Sequence, residues 1–260
     1  MTKFYGLIVL RFNGIFAQAD VDRYMKTLND TGEIPGLFLP KWILYACLAA
    51  GVIAYLFGSI NTAVFWSKVR YHDDIRNHGS GNAGMSNMFR VYGKSAGIIT
   101  IVGDFLKTVI PVFVTLVLLG ETAAYFAGLC CVVGHAYPVF CNFKGGKGVI
   151  ATATTVLVIE PVLFVVLFAV FLIVFLFTKY VSLGSIFASL IYPVFMPQVH
   201  KLMYGAGSNE TLSIAMLICL VTGLFILYLH KANIRRLLDH EENRFDFKKK
   251  NKEKSEFDEK

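Results

Sequence analysis

Residues 149–177 read VIATATTVLVIEPVLFVVLFAVFLIVFLF, and the way this stretch divides decides the fold of the whole chain. Every residue in it is apolar or a threonine except Glu160. An apolar run of about 20 residues is long enough to cross the hydrocarbon core of a bilayer. Because proline disfavours the helical conformation in the residue before it, Pro161 predicts that two helices, Val149–Ile159 and Val162–Phe177, meet at Glu160. One long helix is the alternative.

Five further apolar blocks have the same character, and together with these two they predict seven helices. The blocks are Trp42–Val69, Ser95–Gly120, Ala123–Phe143, Val181–Pro197 and Leu212–Leu229. Hydrophobic residues make up 55% of the chain and the mean hydropathy is +0.58, whereas soluble domains contain about 45–50% apolar residues. The composition therefore excludes a soluble globular enzyme. It predicts an all-α, polytopic transmembrane helical bundle of about seven spans.

The formal net charge of +7 is explained by membrane topology rather than by nucleic-acid binding. The loop Arg70–Lys94 and the tail after Leu229 are rich in lysine and arginine, and such segments stay in the cytoplasm. An even number of crossings must then separate them, which requires the break at Glu160. We therefore expect the N-terminus outside and the C-terminus in the cytoplasm. The short helix Val149–Ile159 crosses only if it begins in the preceding loop or the bilayer is thin there.

The two ends of the chain differ in composition from its apolar middle. Residues 1–40 form an N-terminal extension of unknown role; it contains a signal-peptidase-like Ala17-Gln18-Ala19, but Arg11 interrupts the apolar region before it, so an extramembrane or interfacial arm is expected. Residues 41–242 form the membrane-embedded domain, and residues 243–260 form a charged cytoplasmic tail. The five cysteines lack metal-ligand spacing, so we expect neither a metal ion nor a cofactor.

The first of three polar segments, residues 78–90, reads HGSGNAGMSNMFR. Successive amides in a glycine-rich turn can form a concavity that binds anions, and hydroxyl and carboxamide groups add hydrogen bonds. Arg90 closes the segment and can bind a phosphate through two parallel hydrogen bonds. The alternative is a solvated loop between two spans, since glycine and asparagine are common in turns. The density of these residues favours a site for a polar ligand.

The second polar segment, residues 134–148, reads GHAYPVFCNFKGGKG. Its GGKG turn leads into a helix, so free amides, a helix N-terminus and a lysine predict a phosphate-binding turn. It is not the nucleotide-binding P-loop, whose pattern is G-x-x-x-x-G-K-[ST]. A basic turn that merely orients the protein is the alternative.

The third polar segment, residues 230–241, reads HKANIRRLLDHE. If the last apolar helix continues, His230 and Asn233 lie one turn apart on one face. The arginines that follow can equally anchor the span at the membrane surface. Asp104 and Lys107 lie inside an apolar block at a spacing that allows them to pair. Charges within a span usually mark function, although a structural ion pair is the alternative.

Together these segments resemble the bacterial acyl-phosphate-dependent glycerol-3-phosphate acyltransferases, the PlsY family. Members carry Ser-Gly-Asn-x-Gly-Ala-Thr-Asn-x-x-Arg, then Gly-His…Phe-x-Gly-Gly-Lys-Gly, then His-x-x-Asn-Ile-x-Arg-Leu…Glu. The matching positions are Ser80, Gly81, Asn82, Gly84, Asn87, Arg90, Gly134, His135, Lys144 to Gly148, His230, Asn233, Ile234, Arg236, Leu237 and Glu241. The Asp104-x-x-Lys107 pair also has a counterpart in the family. The chain departs from the pattern in having Met85-Ser86 for Ala-Thr, Asn61 for a proline and Thr108 for a glycine.

The resemblance implies that residues 41–242 are an acyltransferase domain. It would transfer a fatty acyl group from acyl-phosphate to the 1-hydroxyl of sn-glycerol-3-phosphate, giving lysophosphatidic acid for phospholipid synthesis. By the same resemblance the expected catalytic residues are Ser80, Arg90, His230 and Asn233. The expected substrate-binding residues are Asn82, Asn87, Lys107, Lys144, Gly145, Gly146, Lys147 and Gly148. Structural roles are expected for Asp104, His135 and Glu241.

The expected setting is the plasma membrane, with several spans and an active site on the cytoplasmic face. The expected partners are the two substrates, membrane lipid and, functionally, the enzyme that makes acyl-phosphate. Two other functions stay open on the residues alone. One is a transporter or channel for a phosphorylated solute, which would also have buried charges and a basic mouth. The other is an acyltransferase that uses acyl-CoA or acyl carrier protein.

Overall fold

The computed structural model describes residues 41–204 and 212–245, and all regular structure within them is helical. The N-terminal extension, residues 205–211 and the tail from residue 246 lie outside the described residues. Ten α-helices follow one another in the described ranges, together with two single 3₁₀ turns, Ile75–Asn77 and Val139–Cys141. The α-helices are α1 Lys41–Gly58, α2 Thr62–Tyr71, α3 Met85–Tyr92, α4 Lys94–Leu119, α5 Glu121–Ala136, α6 Val149–Ile159, α7 Pro161–Thr178, α8 Val181–Tyr204, α9 Leu212–Leu229 and α10 Lys231–Leu238.

Five stretches of helix are long and apolar enough to cross a membrane. They are Ile43–Tyr71, Lys94–Leu119, Glu121–Cys141, Pro161–Thr178 and Val181–Met203. The pair α9 and α10, bent by 54° at His230, makes a sixth if it is counted as one span. Each of the seven predicted apolar blocks is therefore helical, but α6 has only 11 residues and is shorter than a normal span. The number of crossings and the orientation of the chain stay predictions.

The break predicted at Glu160 is present. Helix α6 ends at Ile159, and α7 begins at Pro161 after a single extended residue. Proline is well tolerated at the first position of a helix, because its missing N–H would have no intrahelical partner there. The long apolar stretch is therefore divided, and α6 and α7 are separate helices.

The first apolar block is present as one candidate span, Ile43–Tyr71, but it consists of two helices, because the chain breaks between Gly58 and Thr62. The cause is a new helix start: the Asn61 side chain accepts a hydrogen bond from the Val64 amide at 3.0 Å and caps α2. The Asn61 amide group also donates to the Ala83 carbonyl at 3.3 Å, which ties the break to the first polar segment.

Close contact between α1 and α5 fixes the position of the second polar segment. A side chain on Gly58 would lie 2.2 Å from the carbonyl oxygen of Cys131, and one on Gly134 would lie 2.2 Å from that of Tyr55. Small residues let membrane helices approach until their backbones touch. Because α5 leads directly into the second polar segment, this packing holds that segment beside the end of α1.

Candidate active site

A cavity of about 330 Å³ lies where the three polar segments meet. The first segment contributes Ser80, Asn82, Asn87 and Arg90 to its wall, the second contributes His135, Lys147 and Gly148, and the third contributes His230 and Asn233. Asp104 of α4 also lines it. Residues as far apart in the sequence as Ser80 and Asn233 therefore share one site.

Within the first segment, both the oxygen and the nitrogen of the Asn87 carboxamide form hydrogen bonds to the loop backbone. Its oxygen accepts from the Ser80 amide at 2.9 Å, and its nitrogen donates to the carbonyls of His78 at 2.9 Å and Ile75 at 3.3 Å. Asn87 is 1% exposed. Asn87 lies in the cavity wall, and its hydrogen bonds hold the loop and present Ser80; its expected contact with substrate stays a prediction.

The first and second segments are tied together by Arg76. Its guanidinium donates to the carbonyl oxygens of Cys141 at 2.8 Å and Lys144 at 3.2 Å, and it forms an ion pair with Asp74 at 2.6 Å. The hydrogen bond to Arg76 lowers the pKa of Asp74 below its ordinary value. One arginine thus satisfies carbonyl groups of a loop that lacks regular structure, and it fixes the distance between the two segments.

The glycine-rich turn of the second segment packs against His135, and two of its amides are bonded within the protein. The Gly145 and Gly146 amides donate to the Ala136 and His135 carbonyls, each at 3.1 Å. A side chain on Gly146 would lie 2.2 Å from Nε2 of His135. These two glycines are needed for close packing, and both amides are bonded within the protein, so their expected contact with phosphate stays a prediction. The free amides of this region are those of the first turn of α6.

Lys147 and Asn233 connect the second segment to the third. The Lys147 ammonium donates to Oδ1 of Asn233, and Nδ2 of Asn233 donates to Glu242 at 2.7 Å. Glu242 also accepts from Arg236 at 2.8 Å and from the Ser182 hydroxyl at 2.7 Å. This chain of bonds fixes which end of the Asn233 carboxamide faces Lys147.

Glu242 is the carboxylate that braces the third segment, rather than the expected Glu241, whose side chain is exposed. Partial burial raises the pKa of Glu242, but hydrogen bonds from Arg236, Ser182 and Asn233 outweigh it and leave that pKa below its ordinary value. Glu242 is therefore ionised at neutral pH and can hold Arg236 at the cavity mouth. The residue lies after a turn in which His240 has a φ of 58°, and this turn brings Glu242 rather than Glu241 back toward the helix.

The electrostatic environment of Lys147 suits an anion. Burial, opposed by the nearby Glu242 and reinforced by Arg236 and Arg90, lowers the pKa of its ammonium to about 8. Arg90 is half-buried, which lowers its own pKa although it stays charged. Three cations and one carboxylate therefore surround the mouth, which has a positive net charge. A bound phosphate would relieve the repulsion among the cations.

His230 has a defined tautomer because of where it lies at the end of α9. Its Nδ1 is 2.8 Å from the carbonyl oxygen of Ile226, which can only accept a hydrogen bond. Nδ1 must therefore carry the proton, and in the neutral ring Nε2 has a free lone pair. This leaves the cavity-lining His230 able to accept a hydrogen bond from a ligand hydroxyl.

The charges inside α4 form a buried cluster beneath the polar segments. Lys107 donates to Asp104 at 2.8 Å, to Nδ1 of His135 at 2.9 Å and to the Ile60 carbonyl at 2.9 Å. The Lys107 ammonium is engaged within the protein and does not line the cavity, and its expected substrate-binding role stays a prediction. Because an ammonium only donates, Nδ1 of His135 accepts and its Nε2 carries the proton.

Some of the remaining predicted site residues do not line the cavity. Lys144 is exposed and points away from it, and Gly145, Gly146 and Glu241 do not line it either. The polar side chains at the mouth that were not predicted as site residues include Ser182, Arg236 and Glu242. Arg236 could have been found, because it lies three residues after Asn233 on the same helical face. Ser182 sits at the start of an apolar helix and gave no signal.

The cavity continues from its polar mouth into an apolar slot between α6, α7, α8 and α9. Each of these helices contributes residues at three- and four-residue spacing, so that one face of each helix forms a wall. The slot is lined by Val149, Ala153, Val156, Phe164, Leu167, Phe168, Phe171, Ser185, Ala188, Ser189, Tyr192, Gly223 and Ile226. Phe168 is 49% exposed, so the slot is open toward the bilayer on the side of α7.

A second polar cluster lies apart from the cavity wall. His200 forms a hydrogen bond through Nδ1 with Glu160 at 2.8 Å and lies 3.9 Å from Glu121. Glu160 and His200 are buried. The cluster joins the start of α5, the turn between α6 and α7 and the last part of α8. We assign it a structural role.

Fold and site together define a class: a helical membrane protein whose cavity combines a cationic mouth with an apolar slot. The sequence comparisons give the family. The glycerol-3-phosphate acyltransferase family model matches residues 48–240. Proteins named glycerol-3-phosphate acyltransferase from Finegoldia magna and Geobacillus kaustophilus are 36% and 39% identical, over 75% and 74% of this chain and 93% and 92% of theirs. The chain belongs to the glycerol-3-phosphate acyltransferase family.

Solved structures agree with this assignment. The chain is similar to the crystal structure of PlsY, an integral membrane glycerol 3-phosphate acyltransferase, in its glycerol 3-phosphate form, with a TM-score of 0.67 and 37% identity. The match covers 77% of this chain and 96% of that one. The lysophosphatidic acid form of PlsY matches with a TM-score of 0.65 and 35% identity.

Proposed function

We propose that this protein transfers a fatty acyl group from acyl-phosphate to the 1-hydroxyl of sn-glycerol-3-phosphate, releasing lysophosphatidic acid and phosphate. The observation that carries the proposal is the continuity of the cationic mouth with the apolar slot, because both substrates bear a phosphate and one also bears an alkyl chain. Membership of the family supports the acceptor. The location is the cytoplasmic face of the plasma membrane, where lysine- and arginine-rich loops are retained.

The phosphate groups bind at the mouth. Arg90 offers a guanidinium that can hold two phosphate oxygens at once, and Lys147 offers a compact point charge. The first turn of α6, beginning at Val149, adds amides and the positive end of the helix dipole. Ser80 and Asn82 line the same wall and complete the polar contacts. Holding two anions side by side is costly without such cations, so binding also brings the reactants together.

His230 orients the attacking hydroxyl. The 1-hydroxyl of glycerol-3-phosphate donates a hydrogen bond to Nε2 of His230, whose tautomer is set by the Ile226 carbonyl. The hydroxyl oxygen attacks the acyl carbonyl carbon, the bond between that carbon and the bridging phosphate oxygen breaks, and phosphate leaves. The hydroxyl proton passes to His230 or to the departing phosphate. Asn233, held by Glu242, lies beside Lys147 and positions it.

No covalent acyl-enzyme is needed in this reaction. An acyl-phosphate is a mixed anhydride with a good leaving group, so positioning and electrostatic stabilisation supply the catalysis. The hydrogen bonds within the described residues are consistent with this, since no serine hydroxyl of the cavity wall is bonded to a histidine there. Ser80 presents its hydroxyl without such an activating base and acts as a hydrogen-bonding group.

A donor exchange tests the proposal. Purified protein in detergent is given glycerol-3-phosphate with palmitoyl-phosphate, palmitoyl-CoA or palmitoyl-acyl carrier protein, and lysophosphatidic acid is measured by mass spectrometry. We expect product from palmitoyl-phosphate alone, with Arg90→Ala strongly impaired and the exposed Lys94→Ala unchanged. Equal product from palmitoyl-CoA would refute the donor assignment. Flux of glycerol-3-phosphate through proteoliposomes without acyl transfer would instead support a transporter.

The donor gives the protein a functional partner. Acyl-phosphate is labile in water, so an enzyme that forms it must supply it to this active site. That link is part of the proposal and follows from the chemistry of the donor.

A further inference from the structure

The apolar slot ends at a common level on all four helices. Its last lining residues are Val156 on α6, Phe164 on α7, Tyr192 on α8 and Gly223 on α9. From Ser182 at the mouth to Tyr192 at this level, α8 rises roughly 15 Å at about 1.5 Å per residue. The slot therefore has a floor within the bundle instead of passing through it.

Tyr192 contributes a buried ring to that floor. It is 2% exposed and packs with Val156 in one buried cluster that also includes Met196, which is 0% exposed and lies one helical turn farther from the mouth. The Cys219 thiol donates to the Tyr192 hydroxyl at 3.1 Å, which fixes the phenol against α9. Beyond the ring the interior is filled, so a ligand cannot continue in that direction without displacing packed side chains.

The walls above Tyr192 are built from small residues. Ala188 and Ser189 on α8 and Gly223 on α9 line the slot, whereas aromatic side chains occupy the facing wall on α7. A side chain on Gly223 would come 2.7 Å from the Ser189 carbonyl, so α8 and α9 touch closely there. The small residues leave space along the slot, and the Tyr192 ring at its deep end limits the length of that space. An alkyl chain is the ligand that fits such a space next to a phosphate-binding mouth.

We propose that Tyr192 is the residue that sets the acyl-chain length this enzyme accepts, by closing the deep end of the slot. The inference rests on the proposed function, because it assumes that an acyl donor binds at the mouth. Each methylene that fits inside the slot gains burial, whereas the first methylene that meets the ring gains none. The open side along α7 admits the chain from the bilayer, and the floor limits how far it extends.

The test compares chain-length profiles of four proteins. For wild type, Tyr192→Ala, Ala188→Leu and Leu190→Ala, kcat/KM is measured with dodecanoyl-, tetradecanoyl-, hexadecanoyl- and octadecanoyl-phosphate. Leu190 lies on the same helix but is 49% exposed outside the slot, so Leu190→Ala is the matched control. Tyr192→Ala should shift the optimum to longer chains, by about fourfold in relative kcat/KM for each methylene newly buried. Ala188→Leu, one turn nearer the mouth, should shift it to shorter chains.

The outcomes separate the inference from the proposed function. Identical profiles in all four proteins would overturn the role of Tyr192 and place the alkyl chain in the lipid. If Tyr192→Ala does not fold, Ala188→Leu decides alone, and an unchanged profile in that variant overturns the inference. Wild-type protein that turns over no acyl-phosphate of any length would overturn the proposed function, and this inference with it.

Discussion

At the scale of single residues, Lys147 and Lys144 give the sharpest contrast, because they lie three positions apart in one loop. Lys147 lines the cavity and bonds to Asn233, whereas Lys144 is exposed. We expect Lys147→Ala to raise KM for glycerol-3-phosphate by about tenfold to about 100-fold, the effect of losing one hydrogen bond to a charged group. Lys144→Ala should change KM less than about threefold, since exposed charges are screened by solvent. Steady-state kinetics checks both, and equal effects would contradict the site geometry.

The pKa of Lys147 predicts a pH dependence. Burial lowers it to about 8, so the ammonium is charged below that pH and loses its proton above it. Because only the charged form attracts phosphate, KM for glycerol-3-phosphate should rise as the pH increases through about 8 and be flat below it. Lys147→Arg should remove this alkaline rise, since a guanidinium keeps its proton throughout the range. An unchanged rise in that variant would assign it to another group.

Residue types alone indicated a cationic site, but they could not assign each role. Arg90 and Lys147 are charged residues in glycine-rich segments, and both line the cavity. Asn87 and Lys107 also lie in segments that the sequence predicts to be functional. Their side chains, however, form hydrogen bonds to backbone carbonyls and other groups within the protein. Glu242 was missed because its contact depends on the backbone turn at His240, which sequence spacing does not reveal.

At the scale of helices, the cluster of Glu121, Glu160 and His200 holds three elements together. His200→Ala would leave the buried Glu160 carboxyl without its imidazole partner, and leaving a buried polar group without its hydrogen bond costs about 1–3 kcal/mol. We expect a clearly lower thermal inactivation temperature in detergent, with KM for glycerol-3-phosphate unchanged in the protein that remains folded. The exposed Lys68, whose ammonium lies 3.8 Å from the Asp74 carboxylate, provides the control, because Lys68→Ala should cost no more than about 1 kcal/mol.

An inactivation temperature equal to wild type in His200→Ala would show that the cluster does not stabilise the bundle. A raised KM with normal stability would place it in the active site instead.

Helix boundaries followed from local chemistry where that chemistry was strong. Pro161 predicted the break between α6 and α7, and the break is there. The end of α1 was missed, because the block Trp42–Val69 is apolar almost throughout and its break depends on Asn61 capping α2 and bonding to the distant Ala83. The hydrophobic pattern of the block does not predict this break, because the break depends on a hydrogen bond to a distant segment.

At the scale of the whole molecule, the orientation in the membrane is a prediction with a direct test. Lys144→Cys and Lys231→Cys, each in a variant lacking the five native cysteines, should react with a membrane-impermeant maleimide in inside-out vesicles and not in right-side-out ones. Both positions are exposed and belong to basic segments that the charge pattern predicts to lie in the cytoplasm. Labelling from opposite sides would separate the second and third segments and contradict a shared site.

The central claim is direct transfer between two substrates held in one cavity. It is tested most directly by a rapid-quench experiment with enzyme in excess over radiolabelled palmitoyl-phosphate, followed by intact-protein mass spectrometry. Without glycerol-3-phosphate we expect the label to stay on the donor and the protein mass to be unchanged; with it, the label should pass to lysophosphatidic acid in a single turnover. An acylated protein in the absence of acceptor, or label that never reaches glycerol-3-phosphate, would contradict the account.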